Sequence, residues 1–393
     1  MLAYLAKRIE KLRGNMKKEN IQTVIIEKPE NVMYYSSFNP IIYSMPVLFI
    51  FDVDKEPCLL VHALRAAHAR EESALDNIQV YGQWGNNKPV AVDIIDAAKA
   101  ILGETKVNRL GLELDYLSVD TYRKLVKKIA PREIISVTDL VCRQKIEKDS
   151  WEIQQIRKAA ELTDYGFVQT LEALTKGCSE AEASTEGQYA MRKLWQEKFS
   201  DAEVAAYGTA GGGKVDSLQV WCLSNEHIAY GCDCPRNYYP KNGDLTLPMV
   251  WATVNGYHAE TERTVMVGNI DAFKQHAYDS MLKAREAIFK ILKPGIAAKD
   301  VYRAAANVYE QNGFGQILPG RVGHGVGCTA HDLPSLTMNN ELILEPGMVF
   351  TVEPGIMDST WGGVRHSDTV LMTETGYEVL TKVDSGSIKI SIK

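Results

Sequence analysis

The chain has 393 residues, more than a single hydrophobic core normally serves, so we expect two domains. Hydrophobic residues make up 45% and charged residues 24% of the sequence, which is typical of a globular protein rather than a disordered or repeat protein. The formal net charge is -6 and no basic cluster is interleaved with aromatic residues, which argues against a nucleic-acid partner. The seven cysteines follow no regular spacing, as expected of reduced thiols.

The first 18 residues carry basic residues among apolar residues at helical spacing, without the apolar segment of a signal peptide. The longest apolar runs, such as residues 47–51, have the length of a strand and fall far short of the roughly 20 residues of a membrane helix. We therefore expect a cytoplasmic protein without a membrane segment. The candidate site residues described below lead us to expect a small molecule as its substrate.

The first part of the chain predicts alternating helices and strands, which is typical of a small α/β domain. Helical patterns cover residues 4–17, 94–102 and 119–128, and apolar runs of strand length cover residues 24–26, 47–51, 58–61 and 110–114. A polar segment at residues 143–150 then leads into a long helical pattern. We accordingly expect the N-terminal domain to span residues 1–145.

The remaining residues, 146–393, predict a second and larger domain. Helical patterns cover residues 151–174, 179–198, 273–292 and 300–311, and strand-like stretches cover residues 245–255, 264–267, 348–352, 369–372 and 378–380. The strands occur as hairpins rather than with helical crossovers. The expected fold class is therefore α+β.

Four segments of the second domain differ from ordinary core sequence. They are residues 255–264 (NGYHAETERT), 323–334 (GHGVGCTAHDLP), 351–355 (TVEPG) and 362–368 (GGVRHSD). In order and spacing they match the metal-site segments of the pita-bread family of creatinase, aminopeptidase P and methionine aminopeptidase, so the chain resembles that family over roughly its last 150 residues. The resemblance implies a pita-bread catalytic domain, a creatinase-type N-terminal domain, and a homodimer in which the N-terminal domain completes the partner's site.

The resemblance also implies where a metal centre would lie. Metal-dependent members bind two divalent ions through five ligands (Asp, Asp, His, Glu and Glu), and the matching positions here are Met249, Glu260, His324, Glu353 and Ser367. A thioether and a neutral hydroxyl are poor ligands for hard divalent ions. We therefore expect the two-ion centre to be lost and no metal or other cofactor to be used, although Glu260, His324 and Glu353 form an acceptable ligand set for one ion.

Glu262 favours a different chemistry. It precedes an arginine at the place where creatinase-like sequences present a glutamate to the substrate, so the resemblance implies that Glu262 and Glu353 bind a nitrogen-rich group through charge-assisted hydrogen bonds. The alternative is a strand with one solvated face, which would place Glu260 and Glu262 on the surface. Creatine itself is not expected as the substrate, because residues 34–46 and 331–340 contain no arginine.

Cys232 stands where creatinase and the peptidases carry a histidine that acts on the substrate. A thiolate there would be a strong nucleophile, with His324 or His331 moving protons, whereas the alternative is a buried and inert cysteine. The glycines around His324 indicate close backbone approach. The residues expected to bind the substrate are Glu260, His331, Arg365, Tyr257 and His258.

These residues predict a metal-independent, creatinase-like hydrolase of a C–N bond in an amidine, guanidine, ureide or amide, and not a peptidase. The expected catalytic residues are Cys232, His324, Glu262 and Glu353. One alternative is a metallopeptidase of the Xaa-Pro aminopeptidase or dipeptidase type that uses one ion at the reduced site. A second alternative is a non-catalytic protein that binds a small ligand, since a fold does not imply a function.

Overall fold

The computed structural model describes residues 2–42, 44–103, 106–207, 217–231 and 233–392. By its internal contacts the chain divides into two compact units. One spans Met1–Lys145 and takes in a short later segment that starts at Ala206, and the other holds Ile146–Ala205 and the remainder of the chain. Each unit contains its own sheet, which confirms the expected α+β class with two domains. No helix among the described residues is long and apolar enough to cross a membrane.

The N-terminal unit is built on a six-stranded sheet with the order β4-β3-β2-β1-β5-β6. Its strands are β1 (Thr23–Ile26), β2 (Leu48–Asp52), β3 (Cys58–His62), β4 (Ile78–Tyr81), β5 (Arg109–Leu112) and β6 (Glu133–Ser136). The central strand β1 pairs antiparallel with β2 and parallel with β5, so the sheet is mixed. Its central strands are nearly all apolar because both faces are buried.

Among the described residues, six α-helices accompany this sheet. They are α1 (Ala3–Lys18), α2 (Pro29–Ser36), α3 (Ala66–Glu72), α4 (Ile94–Leu102), α5 (Val119–Ile129) and α6 (Thr138–Lys145). Helices α4 and α5 begin at the N-caps Asp93 and Ser118, whose side chains accept hydrogen bonds from the first turn. The sequence predicted α1, α4 and α5 within a few residues. It missed α2, α3 and α6, which have only seven or eight residues and so show too little of the helical period.

The C-terminal unit contains an eleven-stranded sheet, in which β12-β11-β13-β15-β9-β8-β10-β17 form a continuous path. Its strands are β7 (Gln219–Ser224), β8 (Leu245–Val254), β9 (Tyr257–Arg263), β10 (Val265–Val267), β11 (His324–Gly325), β12 (Asp332–Ser335), β13 (Val349–Val352), β14 (Gly355–Asp358), β15 (Gly362–Met372), β16 (Tyr377–Val379) and β17 (Ile388–Ile390). Strand β7 pairs with β8, while β14 and β16 pair with β15. Hairpin connections such as β8–β9 agree with the expectation from the sequence.

In the described part of this unit there are four α-helices: α7 (Ser150–Thr175), α8 (Glu180–Lys198), α9 (Ala272–Ile291) and α10 (Ala298–Gln311). Helix α7 packs against α8, β8 and β9, and α9 packs against α10 and β15. Both α7 and α8 start with a capping box, formed by Asp149 with Glu152 and by Ser179 with Glu182. The sequence predicted all four helices within about two residues from the helical spacing of their apolar residues.

Asp368 in β15 holds three elements of this unit together. Its Oδ1 accepts a hydrogen bond from Arg263 Nη2 in β9 (2.5 Å), and its Oδ2 accepts one from Arg285 Nε in α9 (2.7 Å). Arg263 is completely buried and also donates to the carbonyl groups of Ser367 and Asp384. A buried guanidinium needs this full set of acceptors, so Asp368 has a structural role.

Replacing Asp368 with alanine should therefore strongly destabilise the C-terminal unit. The change leaves the buried guanidinium of Arg263 without its carboxylate, and we expect the free energy of unfolding to fall by about 3–5 kcal/mol. Urea denaturation followed by circular dichroism measures the effect. The control is Glu378→Ala, which removes a half-exposed ion pair with Arg157 and should change stability by less than about 1 kcal/mol. Equal losses in the two variants would contradict this role.

Candidate functional site

The candidate site is assembled by the alternation of side chains along neighbouring strands. In the β8–β9 hairpin, Met249 lies opposite Glu262 and Trp251 lies opposite Glu260. Side chains two residues apart on a strand point to the same face, so these four residues share one face of the sheet. On the other side of β9, Ser367 in β15 lies opposite Glu262. The sheet register thus gathers residues that lie more than 100 positions apart in the chain.

A cavity of about 310 Å³ opens on this face of the sheet. It is lined by Ser217, Gln219, Trp221, Gly231, Trp251, Thr253, His258, Glu260, Glu262, Arg321, His324, Ala330, His331, Glu353 and Arg365. The rings of Trp221 and Trp251 pack edge to face, with centroids 5.0 Å apart, and form an aromatic wall. The cavity therefore combines an apolar side with a group of buried charges, as ligand sites in proteins commonly do.

Three of the predicted residues converge at the base of this cavity. Glu260, His324 and Glu353 each present one ligand atom, and these atoms all lie within 4.8 Å of one another. His324 Nε2 is 3.4 Å from Glu353 Oε2 and 3.7 Å from Glu260 Oε2. Burial lowers the pKa of His324, but the charges of the two carboxylates outweigh burial, so the pKa is raised overall. The alternative of a solvated strand face is wrong for Glu260, which is only 2% exposed.

The glycines around His324 have a packing role. A Cβ atom at Gly323 would lie 2.0 Å from the carbonyl oxygen of Thr351, and one at Gly325 would lie 2.0 Å from that of Leu333. The close backbone approach predicted from the sequence is therefore an approach of neighbouring protein segments. His324 is held between them, and its Nδ1 lies 3.1 Å from the carbonyl oxygen of Gly325.

Two neighbours fix the orientation of the Glu260 carboxylate. Ser367 Oγ donates a hydrogen bond to Oε1 (2.5 Å), and Trp251 Nε1 donates one to Oε2 (3.0 Å). Burial raises the pKa of Glu260, the charge of His324 lowers it, and nearby Glu353 raises it again. Ser367, at a position where the resemblance implied a metal ligand, thus serves as a donor to Glu260.

Arg365 forms the second charged group of the site. Its Nε and Nη2 donate to the two oxygens of Glu262 at 2.5 and 2.9 Å, and its Nη1 lies 3.1 Å from Glu353 Oε1. Nη2 also lies 2.8 Å from the sulfur of Met249. Burial is the largest influence on the pKa of Glu262 and raises it to about 8, while Arg365 opposes that rise. For Glu353 the charges of Arg365 and His324 outweigh burial and lower the pKa to about 2.

Two further histidines line the cavity. The ring of His331 lies 4.3 Å from that of His324, and desolvation together with His324 lowers the pKa of His331 to about 4. His258 Nδ1 lies 3.0 Å from the carbonyl oxygen of Gly327, and burial lowers its pKa as well. Both rings are therefore neutral near pH 7, and the neutral ring of His331 can accept a hydrogen bond.

A second cavity of about 420 Å³ adjoins the first. Glu353, Arg365 and Arg321 line both cavities, and the second is otherwise mainly apolar, with Leu318 and Met357 among its lining residues. Within the described part of the chain, Arg321 makes no hydrogen bond or ion pair. Its charge still acts on the site, since it contributes to the lowered pKa of Glu353.

The structure does not bring every predicted residue together. Tyr257 is fully buried and does not belong to the lining of the cavity, because its ring packs edge to face against Trp151, 5.5 Å away. Cys232 lies outside the described residues, and its predicted role as a nucleophile stays a prediction. Cys222 is fully buried, and burial raises the pKa of its thiol, so it is inert filler.

Sequence reasoning missed Trp251 and Arg321. A signal for Trp251 was present, because it lies in a predicted strand two residues from Met249, which had been placed at the site. For Arg321 the only signal was its position three residues before His324, and a loop residue at that distance has no fixed direction.

Comparison with known families identifies both units. The sequence profile of metallopeptidase family M24 matches residues 154–374, and that of the creatinase/prolidase N-terminal domain matches residues 8–145.

Individual relatives cover the whole chain. An Xaa-Pro dipeptidase of Pyrococcus furiosus is 30% identical over 383 residues, covering 97% of this chain and 99% of the relative. A putative dipeptidase, YkvY, of Bacillus subtilis is 27% identical and covers 95% of this chain and 97% of the relative. The crystal structure of the prolidase from Pyrococcus horikoshii superimposes with a TM-score of 0.80 at 26% identity, covering 96% of this chain and 99% of that one.

These findings overturn the function expected from the sequence. The prediction of a metal-independent, creatinase-like hydrolase that is not a peptidase is wrong, because the similar proteins are Xaa-Pro dipeptidases and the matching family is one of metallopeptidases. The prediction failed because it relied on the residue types at Met249, Ser367 and Glu262. Those local departures suggested a lost metal centre, yet the structure keeps Glu260, His324 and Glu353 within reach of one ion. The predictions of a hydrolase and of a pita-bread fold agree with these comparisons.

The hydrogen bond from Trp251 to Glu260 predicts a specific effect of Trp251→Phe. Without the indole donor the buried carboxylate loses a charge-assisted hydrogen bond, so its pKa should rise further and the free energy of unfolding should fall by about 1.5–3 kcal/mol. Carbon-13 NMR of glutamate-labelled protein, recorded as a function of pH, follows the carboxyl group. Trp221→Phe is the matched control, because it alters the same wall but not this donor. An unchanged titration in Trp251→Phe would refute the assignment.

Proposed function

The chain belongs to metallopeptidase family M24 and carries a creatinase/prolidase N-terminal domain, and from this premise we propose that it hydrolyses short peptides as an Xaa-Pro dipeptidase does. The observation that carries the proposal is the group of Glu260, His324 and Glu353 at the base of a cavity of about 310 Å³. Relatives that match almost the full length of this chain and bear the name Xaa-Pro dipeptidase support the substrate class.

The residues at the base of the cavity fit one divalent ion. Glu353 Oε2 is buried and accepts no hydrogen bond within the described residues, so one strong acceptor faces the space between Glu260 and His324. One imidazole and two carboxylates suit ions such as Zn²⁺, Mn²⁺ or Co²⁺. The neighbouring positions do not fit a second ion, because Met249 offers only a thioether and Arg365 already brings a positive charge there.

A divalent ion held by these three residues would supply Lewis-acid polarisation of a substrate carbonyl group. The protein itself contributes position and hydrogen bonding. Ser367 and Trp251 hold the Glu260 carboxylate in a fixed orientation through two hydrogen bonds. His331 lies at the cavity wall and is neutral near pH 7, so it can accept a hydrogen bond from a bound peptide; with a pKa of about 4 it is a weak base and would release at once any proton that it takes.

The shape of the cavity suits a short substrate with an apolar ring. The aromatic wall of Trp221 and Trp251 offers flat apolar faces against which a proline ring can pack. A volume of about 310 Å³ lies at the small end of the range for ligand sites in proteins, which suits a dipeptide.

Arg321 could allow the site to select dipeptides over longer peptides. Its guanidinium makes no hydrogen bond or ion pair within the described residues, and Arg321 lines both cavities. The guanidinium would bind the free carboxylate of a dipeptide through two parallel hydrogen bonds. The backbone next to it is fixed, because Val322 N donates to Leu336 O and Val322 O accepts from Glu353 N. A longer peptide would place a neutral amide there instead of a carboxylate.

Two further parts of the proposal concern the assembly and the compartment. We expect a homodimer in which the N-terminal domain of one chain completes the site of its partner, as the family resemblance implies. A cytoplasmic location is favoured by the six described cysteines, all of which are free.

The proposed function predicts metal-dependent hydrolysis of Xaa-Pro dipeptides. Treatment with 1,10-phenanthroline or EDTA should abolish cleavage of Met-Pro or Leu-Pro, and added Mn²⁺, Co²⁺ or Zn²⁺ should restore it. Glu353→Gln removes a charged ligand and should lower kcat/KM by at least about 100-fold. Exposed Glu341→Gln is the control and should behave as the wild type. Full activity after removal of all metal would contradict the one-ion site, and no cleavage of any dipeptide under any metal would contradict the function.

The proposed role of Arg321 predicts a loss of selectivity in Arg321→Met. The wild type should cleave a dipeptide acid with a higher kcat/KM than its C-terminal amide by about 10- to 100-fold, equivalent to about 1.5–3 kcal/mol of charge-assisted hydrogen bonding. Arg321→Met should bring the two substrates close together, mainly by raising KM for the acid. Arg303→Met, an exposed arginine on α10, makes the same change in net charge and should preserve the preference. A preference that persists in Arg321→Met would refute this assignment.

A further inference from the structure

Arg365 contacts more groups of the site than an ordinary ion pair requires. Its guanidinium donates to both oxygens of Glu262 at 2.5 and 2.9 Å, and also reaches Glu353 Oε1 at 3.1 Å and the sulfur of Met249 at 2.8 Å. Glu262 is 1% exposed and the side chain of Glu353 is 10% exposed. The guanidinium therefore lies between two buried carboxylates, in the manner of a bound cation.

Glu353 connects this position to the group at the base of the cavity. Its Oε1 faces Arg365, while its Oε2 accepts no hydrogen bond within the described residues and faces His324 and Glu260. The carboxylate of Glu353 thus lies between two neighbouring cation positions. The guanidinium of Arg365 occupies one of them, and the other is the candidate ion site.

The formal charge of the three carboxylates matches the combined charge of the Arg365 guanidinium and one divalent ion. When fully ionised, Glu260, Glu262 and Glu353 would bring three negative charges, and the guanidinium of Arg365 with one divalent ion bound to a neutral His324 would balance them. A second divalent ion would leave an excess of two positive charges in a buried site, which is strongly unfavourable at low dielectric. Neither Met249 nor Ser367 adds a negative charge that would offset it.

We infer that Arg365 fills a latent second cation position, between Glu262 and Glu353, as a permanent replacement for a metal ion. The position would take a divalent ion if the guanidinium were removed, because two buried carboxylates and an open space would remain. This inference concerns ion occupancy alone, and it stands apart from whether the protein cleaves peptides.

The test counts ions in the full-length protein. Wild type, Arg365→Ala, Arg365→Lys and the double variant Glu262→Gln with Arg365→Ala are equilibrated with MnCl₂, desalted by gel filtration, and measured by inductively coupled plasma mass spectrometry. We expect Arg365→Ala to bind one Mn²⁺ more per chain than the wild type. Arg365→Lys keeps the positive charge and should bind as many as the wild type. The double variant lacks one carboxylate of the latent position and should lose the additional ion.

A second variant keeps the test decisive if Arg365→Ala does not fold. Met249→Asp adds a carboxylate beside Arg365 Nη2, and with the guanidinium in place we expect no additional Mn²⁺. The inference is overturned if the wild type already binds two ions, if folded Arg365→Ala gains none, or if Met249→Asp alone gains one. A wild type that binds no ion would instead contradict the one-ion peptidase, and the gain in Arg365→Ala would still test the inference.

Discussion

The site depends on the burial of three carboxylates on one face of a sheet, close enough that each opposes the ionisation of the others. Glu260, Glu262 and Glu353 cannot all stay charged in such a place without positive charge among them. Arg365 provides part of that charge, and together with His324 and Arg321 it outweighs burial and lowers the pKa of Glu353. Most other features of the cavity can be understood as means of holding these groups in place.

The scaffold meets this requirement with rigid elements. Glu260 and Glu262 lie on β9, between β8 and β15, and the register of the three strands sets which side chains face them. Asp368 ties β15 to β9 through the buried Arg263 and to α9 through the partly exposed Arg285, on the other side of the strand from Ser367. The structural ion pairs and the candidate site therefore use alternate residues of the same strands, and this explains why the two groups of charges lie next to each other in the sequence.

The erroneous function shows the limit of reasoning from substitutions one at a time. Met249 and Ser367 are indeed unsuited to bind metal, and the structure gives both of them other contacts, with Arg365 and with Glu260. From this loss we expected a metal-independent hydrolase and kept a one-ion peptidase only as an alternative. Whether Glu260, His324 and Glu353 still converge depends on distances between three strands or strand ends, and these distances cannot be obtained from spacing along the chain.

The sequence by itself determined the two domains, the long helices of the second domain and the fold family, and it pointed to most of the charged residues of the candidate site. These features follow from local signals, such as the helical spacing of apolar residues in residues 151–174, or from segments whose order indicates the family. Only the tertiary structure decided that Arg365 pairs with Glu262, that Trp251 orients Glu260, and that Tyr257 faces away from the cavity. Those outcomes depend on strand register, which brings distant residues together, and on burial, which changes the energy of each charged group.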